Sequence, residues 1–142
     1  EIKVKRLNDS AKPPTKAHQD DIGHDLYSNG FVWIEPGEKD IIPTGIALSF
    51  PENLYGKIEE KSGIASKTPL SLKAGVIDSG YQGEIKVVIF NHSNKPYQIK
   101  PLTPIAQLLI HKKSTDVEMT EVDSFDMSTE RGIKGFGSSY NI

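Results

Sequence analysis

The segment over residues 131–139 carries side chains that could bind a nucleotide. It reads RGIKGFGSS, which combines two cations, one aromatic ring and two hydroxyl groups with three glycines. Arg131 could pair with a phosphate through two nitrogens, the glycines would let backbone amides approach phosphate oxygens, and Phe136 could stack on a base. A flexible, solvated tail is the simpler interpretation of a glycine-rich terminus, so this segment needs support from elsewhere in the chain.

A second candidate lies in the middle of the chain, where residues 75–85 read GVIDSGYQGEI. Apolar strand ends flank Asp-Ser-Gly, and this pattern predicts a hairpin with Asp78 and Tyr81 near its tip and Gly80 at a positive φ. A carboxylate and a phenol ring would then lie close together on one rigid turn. An aspartate that opens a turn often only caps its own backbone, and Asp78 taken alone favours that structural role.

A third candidate is Lys61-Ser62-Gly63, where a cation and a hydroxyl group directly precede a glycine. We expect one helical turn near residues 63–67 with Ser62 as its N-cap, because serine is common at that position. Free backbone amides at the start of a helix attract anions. These three residues could therefore contact a phosphate.

Composition limits the possible functions. The chain has 142 residues, 36% hydrophobic content and no linker, which predicts one domain. A formal charge of -2 provides no general basic surface, so we expect no polymeric nucleic acid as partner. The absence of cysteine excludes disulfides and thiolate metal sites, and no apolar run is long enough for a signal peptide or a membrane span. We expect an intracellular protein, cytoplasmic or nuclear, with no membrane partner.

The apolar residues follow a period of two in short runs that end at proline or glycine, which is typical of β-strands. Residues 85–90 carry apolar side chains on both faces, and this predicts a central strand covered on both sides. The number and spacing of the strands favour a sandwich, a barrel or a jelly roll. The predicted strands cover residues 2–4, 31–34, 41–42, 45–50, 85–90, 105–111 and 117–122.

Five segments together resemble the motifs of the trimeric dUTPases, in the order that this family has them. They are residues 17–26 (AHQDDIGHDL), 61–65 (KSGIA), 75–85 (GVIDSGYQGEI), 104–108 (PIAQL) and 131–139 (RGIKGFGSS). The resemblance covers nearly the whole chain, and the third segment is its most specific part. It implies an all-β fold: a jelly-roll-like β-barrel over residues 1–126 with at most one short helix, and a flexible glycine-rich arm over residues 127–142 that closes an active site.

The resemblance implies an enzyme that hydrolyses dUTP to dUMP and pyrophosphate, which keeps uracil out of DNA and supplies dUMP. Asp78 would activate the water that attacks the α-phosphorus, and Gln107 would contact phosphate or position that water. A magnesium ion, Mg2+, held by the phosphates would neutralise their charge, with Asp25 in contact through a metal-bound water. The family is homotrimeric, and each of its sites combines motifs from different subunits.

The substrate contacts also follow from the resemblance. The ring of Tyr81 would pack beneath deoxyribose and leave no room for a 2′-hydroxyl group. Backbone groups of the hairpin from about Leu72 to Val87 would hold uracil, and Ser62 would bridge to the phosphate next to the bond that breaks. The implied substrate-binding residues are Lys61, Ser62, Gly63, Gly75, Ile77, Tyr81, Glu84, Ile85, Lys86, Arg131, Phe136, Gly137 and Ser138.

Some residues depart from the family pattern. Lys61 stands where the family usually has arginine, which keeps the charge but loses the planar fork. Leu102 and Pro104 stand where glycine and arginine are common, which argues against the usual turn and ion pairing there. In the first segment, Ile22 replaces a common alanine and His24 a common aromatic residue or leucine.

Some of these residues also suggest other functions. A P-loop is excluded because residues 132–138 lack the lysine and hydroxyl pair after the last glycine. His18 and His24 are six residues apart, which does not match a familiar metal-binding pair. A non-catalytic dUTP-binding regulatory protein on the same fold, or a dCTP deaminase-like enzyme, stays open as an alternative. Asp78 favours catalysis, because binding alone gains nothing from another negative charge beside a triphosphate.

Overall fold

The computed structural model describes residues 1–114 and 117–137. Within these ranges the chain forms ten β-strands and one α-helix, which confirms the predicted all-β fold with at most one short helix. The elements are β1 (Lys3–Arg6), β2 (His24–Tyr27), β3 (Val32–Ile34), β4 (Lys39–Ser49), β5 (Leu54–Glu59), α1 (Ser62–Lys67), β6 (Leu70–Lys73), β7 (Val76–Ile77), β8 (Glu84–Asn91), β9 (Tyr97–Ile99) and β10 (Pro104–Lys112).

Eight of the strands form two four-stranded sheets, and the remaining two pair with each other. The first sheet has the order β1-β4-β8-β6, the second has the order β2-β10-β5-β7, and β3 pairs with β9. These pairings are antiparallel. Strands that are distant in sequence thus lie side by side, as expected for a sandwich or jelly roll.

The core contains apolar side chains from both four-stranded sheets, together with Ile34 of β3 and Ile99 of β9. In β8, the alternate residues Ile85, Val87 and Ile89 are buried. β8 lies between β4 and β6, so its predicted central position is confirmed. On the other face, Val88 and Phe90 are partly buried within this chain. That both faces of β8 are covered stays a prediction.

Strand β4 is one long strand where the sequence predicted two short ones on either side of Pro43. It spans Lys39–Ser49, with a shift of its register against β8 between Pro43 and Ala47. Proline has no amide hydrogen to donate to the ladder, and an irregularity of this kind lets it remain within a strand. Gly45 has a φ of +70°, and a Cβ atom there would lie 2.6 Å from Oδ1 of Asn29. The bulge therefore requires glycine at this position.

Residues 117–122 form no strand, contrary to the prediction. Their apolar side chains Val117, Met119 and Val122 are exposed. An alternation of apolar and polar residues produces a strand only where a neighbouring strand supplies hydrogen-bond partners. None of the described strands pairs with this segment.

The helix α1 begins at Ser62, close to the predicted place, but Ser62 is not its N-cap. Lys61 holds that position, with an extended backbone and no side-chain hydrogen bond to a free amide. The prediction was wrong by one residue because Ser62 itself is already helical. Among the described residues there is no helix whose length and apolar character would suit a membrane crossing.

Leu102 has a φ of +58°. The family that this sequence resembles commonly has glycine at this position. A left-handed backbone costs a residue with a Cβ atom about 1–2 kcal/mol. We therefore expect Leu102→Gly to be more stable than Leu102→Ala by about 1 kcal/mol, measured as the free energy of unfolding in urea. Lys100 is the matched control, since it is exposed and its φ is not positive. At position 100 the alanine variant should be more stable than the glycine variant. If the alanine variant is also the more stable one at position 102, backbone strain at Leu102 is contradicted.

Candidate active site

A cavity of about 270 Å³ opens between the segment that follows β6 and the first residues of β8. It brings together the part of the predicted site that comes from the middle of the chain. Seven predicted residues line it: Gly75, Ile77, Asp78, Tyr81, Glu84, Ile85 and Lys86.

The turn that carries Asp78 and Tyr81 crosses from one sheet to the other. β7 precedes this turn and pairs with β5, whereas β8 follows it and pairs with β4 and β6. The prediction that the two flanking strands form a hairpin was therefore wrong. The chain does turn, because the amide of Tyr81 donates to the carbonyl oxygen of Asp78 at 3.1 Å. Gly80 lacks the predicted positive φ, since the turn closes without a left-handed residue there.

The side of the cavity next to β5 is polypeptide backbone. The amide of Ile58 donates to the carbonyl oxygen of Gly75 at 2.7 Å. A Cβ atom on Gly75 would lie 2.6 Å from the carbonyl oxygen of Ile58, so only glycine permits this approach. The preceding Ala74 has a φ of +61°, which is uncommon for a residue with a side chain. The path of residues 74–75 thus defines one wall of the cavity.

The phenol ring of Tyr81 has a defined position at the edge of the cavity. Its hydroxyl donates to the carbonyl oxygen of Glu84 at 2.8 Å, while 46% of the residue stays exposed. The carboxylate of Glu84 has a partner in the first sheet, since Oε2 accepts the amide of Gly45 at 3.0 Å. Glu84 therefore connects the tyrosine ring to the bulge of β4.

Asp78 is exposed, and its neighbour Ser79 ties the turn to the end of β10. Nζ of Lys113 donates to Oγ of Ser79 at 3.0 Å. Lys113 is itself held by its amide, which donates to the carbonyl oxygen of Asn53 at 2.8 Å. The Asp78 carboxylate is therefore accessible to water, while the backbone that carries it is anchored.

A second group of predicted residues, the Lys61 cluster, consists of Asp25, Lys61 and Gln107. Gln107 in β10 lies opposite Asp25 in β2, and Nζ of Lys61 forms a hydrogen-bonded ion pair with Oδ1 of Asp25. Nε2 of Gln107 donates to the carbonyl oxygen of Glu60 at 2.9 Å. A Cβ atom on Gly23 would lie 2.0 Å from Oε1 of Gln107, so that glycine makes room for the amide.

Ser62 and Gly63 follow Lys61 at the start of α1, and both are exposed. A Cβ atom built on Gly63 would meet no described atom within 4 Å. Nothing in residues 1–114 and 117–137 therefore requires glycine there. The space above it is open to a ligand or to another chain.

The imidazole of His24, next to Asp25, adds no positive charge to this cluster at neutral pH. Burial lowers the pKa of His24 from its ordinary value of 6.5, and the nearby positive charge of Lys16 lowers it further. Its Nδ1 atom is buried and has no hydrogen-bond partner among the described residues. Lys61, and not His24, is therefore the cation that the cluster can offer to a phosphate.

The cavity and the Lys61 cluster lie apart within one chain. β2, β10, β5 and β7 are successive neighbours, so the path from β2 to β7 crosses three strand spacings, or about 14 Å. Ile77 lies opposite Gly56 of β5, whereas Gln107 lies opposite Glu59, which adds a displacement along that strand. The two groups are therefore separate within this chain.

The predicted arm stays apart from both groups over the residues that the structure describes. Phe136 is fully exposed, and Nε of Arg131 donates to the carbonyl oxygen of Lys134 at 2.8 Å. Gly137 is partly buried. Ser138 lies outside the described residues. The structure thus does not bring Arg131 or Phe136 to the cavity.

Among the residues that shape the site without an individual role assigned from the sequence are Gly23, Gly83 and Lys113. Gly23 accommodates Gln107, and Gly83 contacts Tyr81. The sequence held a signal for both, since each glycine is one or two residues away from a predicted site residue. Lys113 offered no such signal, because its contact with Ser79 depends on the register of β10.

Comparison with known proteins connects both groups of residues to one family. Residues 9–140 match the family model described as dUTPase. A protein named deoxyuridine 5'-triphosphate nucleotidohydrolase from Clostridioides difficile is 39% identical over 140 residues, which cover 97% of this chain and 96% of that protein. Its namesake from Saccharomyces cerevisiae is 37% identical over 140 residues, which cover 99% and 95%.

Solved structures agree with these sequence matches. A mutant dUTPase of Staphylococcus bacteriophage 80alpha with dUpNHpp superposes with a TM-score of 0.92 at 33% identity, covering 99% of both chains. A mutant dUTPase from phage phi11 of S. aureus, whose structure reveals the coordination of a structural Mg(II) ion, gives a TM-score of 0.83 at 30% identity, covering 89% of this chain and 99% of that one. The predicted jelly-roll-like fold is confirmed by this likeness, and the chain belongs to the dUTPase family.

Proposed function

We propose that this chain hydrolyses dUTP to dUMP and pyrophosphate in a site that its own cavity and the Lys61 cluster of another subunit build together. The observation that carries the proposal is the cavity itself, which combines a backbone wall, an anchored tyrosine ring and an exposed carboxylate on a fixed turn. The backbone wall would hold the base, the tyrosine ring would contact the sugar, and the carboxylate would act at the reacting phosphate.

The cavity would hold the nucleoside. Uracil binds against the backbone of residues 74–75, where carbonyl and amide groups serve as hydrogen-bond partners. The ring of Tyr81 packs beneath deoxyribose and leaves no room for a 2′-hydroxyl group. Gly75, Ile77, Ile85 and Lys86 complete the walls, and Glu84 supports the ring.

The triphosphate would extend from the cavity toward the Lys61 cluster. Lys61 supplies positive charge, Ser62 and Gly63 approach the phosphate oxygens, and Gln107 contacts phosphate or positions the attacking water. Residues 127–142 then close over the ligand: Arg131 pairs with phosphate, Phe136 stacks on the base, and Gly137 and Ser138 follow the phosphates. Closure removes bulk water and strengthens the electrostatics inside the site.

The Asp25 carboxylate fits a hard cation such as Mg2+ because oxygen is the ligand that this ion prefers. Among the described residues no group of three or more His, Cys, Asp or Glu could hold a metal ion. Most of the ligands would therefore come from the triphosphate, with Asp25 in contact through water. A bound Mg2+ supplies neutralisation of the phosphate charge.

Asp78 is the group that performs the proton transfer. Its carboxylate orients a water molecule in line with the α-phosphorus and accepts a proton from it as the new oxygen-phosphorus bond forms. The bond between the α-phosphorus and the bridging oxygen breaks, and pyrophosphate leaves with the electron pair. The Lys113 contact to Ser79 keeps the turn in place during this step.

The separation of the cavity from the Lys61 cluster supports a homotrimer with shared sites. A closed cyclic arrangement repeats one contact between copies and places the cavity of one subunit against the cluster of the next. The open space above Gly63 leaves room for such an approach. We propose that each of the three sites draws on more than one subunit.

Asp78→Asn should leave a folded protein that still binds dUpNHpp but releases pyrophosphate from dUTP at least about a hundredfold more slowly, because the general base is lost. Turnover is measured as pyrophosphate release, with dCTP as the control substrate. Near wild-type turnover would exclude Asp78 as the base. Ammonia released from dCTP by the wild-type protein would instead identify a deaminase, and binding of dUTP without turnover a regulatory protein.

Truncation after Asp126 should remove most dUTP turnover, by at least about tenfold, because the closing contacts are lost. The melting temperature should stay nearly unchanged, since the described hydrogen bonds of residues 127–137 are local. Phe136→Ala should reproduce part of the loss, and Met127→Ala serves as the control within the arm. Turnover of the truncated protein close to that of the full chain would contradict the closing role.

Mixing two inactive variants tests whether sites are shared. Asp78→Asn and the protein truncated after Asp126 are denatured together and refolded, so that subunits mix at random. If the carboxylate and the arm of one site come from different subunits, roughly a quarter of the sites regain both. Refolding each variant alone is the control. No recovery on mixing would mean that one chain supplies both parts.

A further inference from the structure

Gly83 lies close to the hydroxyl end of the phenol ring of Tyr81. A Cβ atom built on Gly83 would lie 2.6 Å from the hydroxyl oxygen of Tyr81, 2.7 Å from Cζ and 3.0 Å from Cε1. No real carbon atoms approach so closely, so any side chain at position 83 would displace the ring. The φ of Gly83 is not in the left-handed region, and the ring alone therefore requires glycine here.

The backbone around Gly83 cannot easily move away from the ring. The carboxylate of Glu84 accepts the amide of Gly45, and the carbonyl oxygen of Ile85 accepts the hydroxyl of Thr44 at 2.5 Å. Both contacts fasten the start of β8 to the bulge of β4. The tyrosine ring is the freer partner, because it is held through one hydrogen bond and is half exposed.

We infer that Gly83 is a positioning residue that sets the position of the Tyr81 ring and thereby the discrimination between deoxyribose and ribose. The inference rests on the proposed role of Tyr81 beneath the sugar. A methyl group at position 83 would displace the ring by about 1 Å, to reach ordinary contact distance. The displaced ring would then disturb the deoxyribose it supports, whereas UTP, which already fits poorly, would lose less.

Gly83→Ala should lower kcat/KM for dUTP by roughly tenfold and reduce the ratio of kcat/KM for dUTP to that for UTP by at least about threefold. Gly80→Ala is the matched control: it lies in the same turn, its φ is not positive, and a Cβ atom there meets nothing within 4 Å. That control should keep the ratio of the wild-type protein. Melting temperatures of all variants are measured alongside.

The double variant Gly83→Ala, Tyr81→Ala separates a ring contact from a general structural role. With the ring removed, the added methyl group has nothing to displace, so the double variant should show the ratio and the melting temperature of Tyr81→Ala. If Gly83→Ala alone fails to fold, folding of the double variant still supports the contact. A double variant that is unfolded, or that has a lower ratio than Tyr81→Ala, would overturn the inference.

Failure of this inference differs from failure of the proposed function. If Tyr81→Ala lowers the dUTP to UTP ratio but Gly83→Ala behaves like Gly80→Ala, the role of Gly83 is refuted and that of Tyr81 stands. If Tyr81→Ala leaves the ratio unchanged, the proposed role of the tyrosine itself is refuted.

Discussion

Strand β5 is the element on which the geometry of the whole site depends, because it hydrogen-bonds on both sides. β10 pairs with one edge of it and sets the position of Gln107, while β7 pairs with the other edge and delivers the chain to Asp78. Gly56 permits this arrangement, since a Cβ atom there would lie 3.0 Å from Leu108 and from Phe50. A slip of β5 by one residue would move both parts of the site at once and turn its side chains to the opposite faces.

Charge compensation supports the proposed role of the arm in a protein of net charge -2. Lys61 is already paired with Asp25, and Lys57 with Glu59 at 2.8 Å. The Glu59 carboxylate raises the pKa of Lys57, chiefly through their hydrogen bond. Lys57 therefore stays charged, but Glu59 already compensates its charge. A triphosphate needs additional positive charge. Arg131 and Lys134 form no salt bridge in the described part of the chain, so in the proposed closed arrangement they would be suited to provide it.

Local sequence patterns predicted most strands correctly. The predictions failed where strand formation depends on pairing with a distant segment of the chain. The apolar side chains on both faces of β8 predicted a central strand, and its position between β4 and β6 confirms this. Residues 117–122 also predicted a strand but have no neighbouring strand in the described part of this chain. The site residues of the cavity came from one continuous motif, whereas Lys113 reaches Ser79 only through the register of β10, which no local pattern encodes. The positive φ of Ala74 likewise depends on the close approach to β5.

The backbone wall formed by Gly75 and Ile58 has a consequence for how this cavity can change over generations. Amide and carbonyl groups are the same in nearly every amino acid, so most substitutions that alter side chains leave the hydrogen-bonding pattern of the wall intact. Only a change in the path of the chain can rewrite that pattern, and the close contact at Gly75 resists such a change. The ligand preference of the cavity therefore depends on the path of the backbone, and most side-chain substitutions would leave it unchanged.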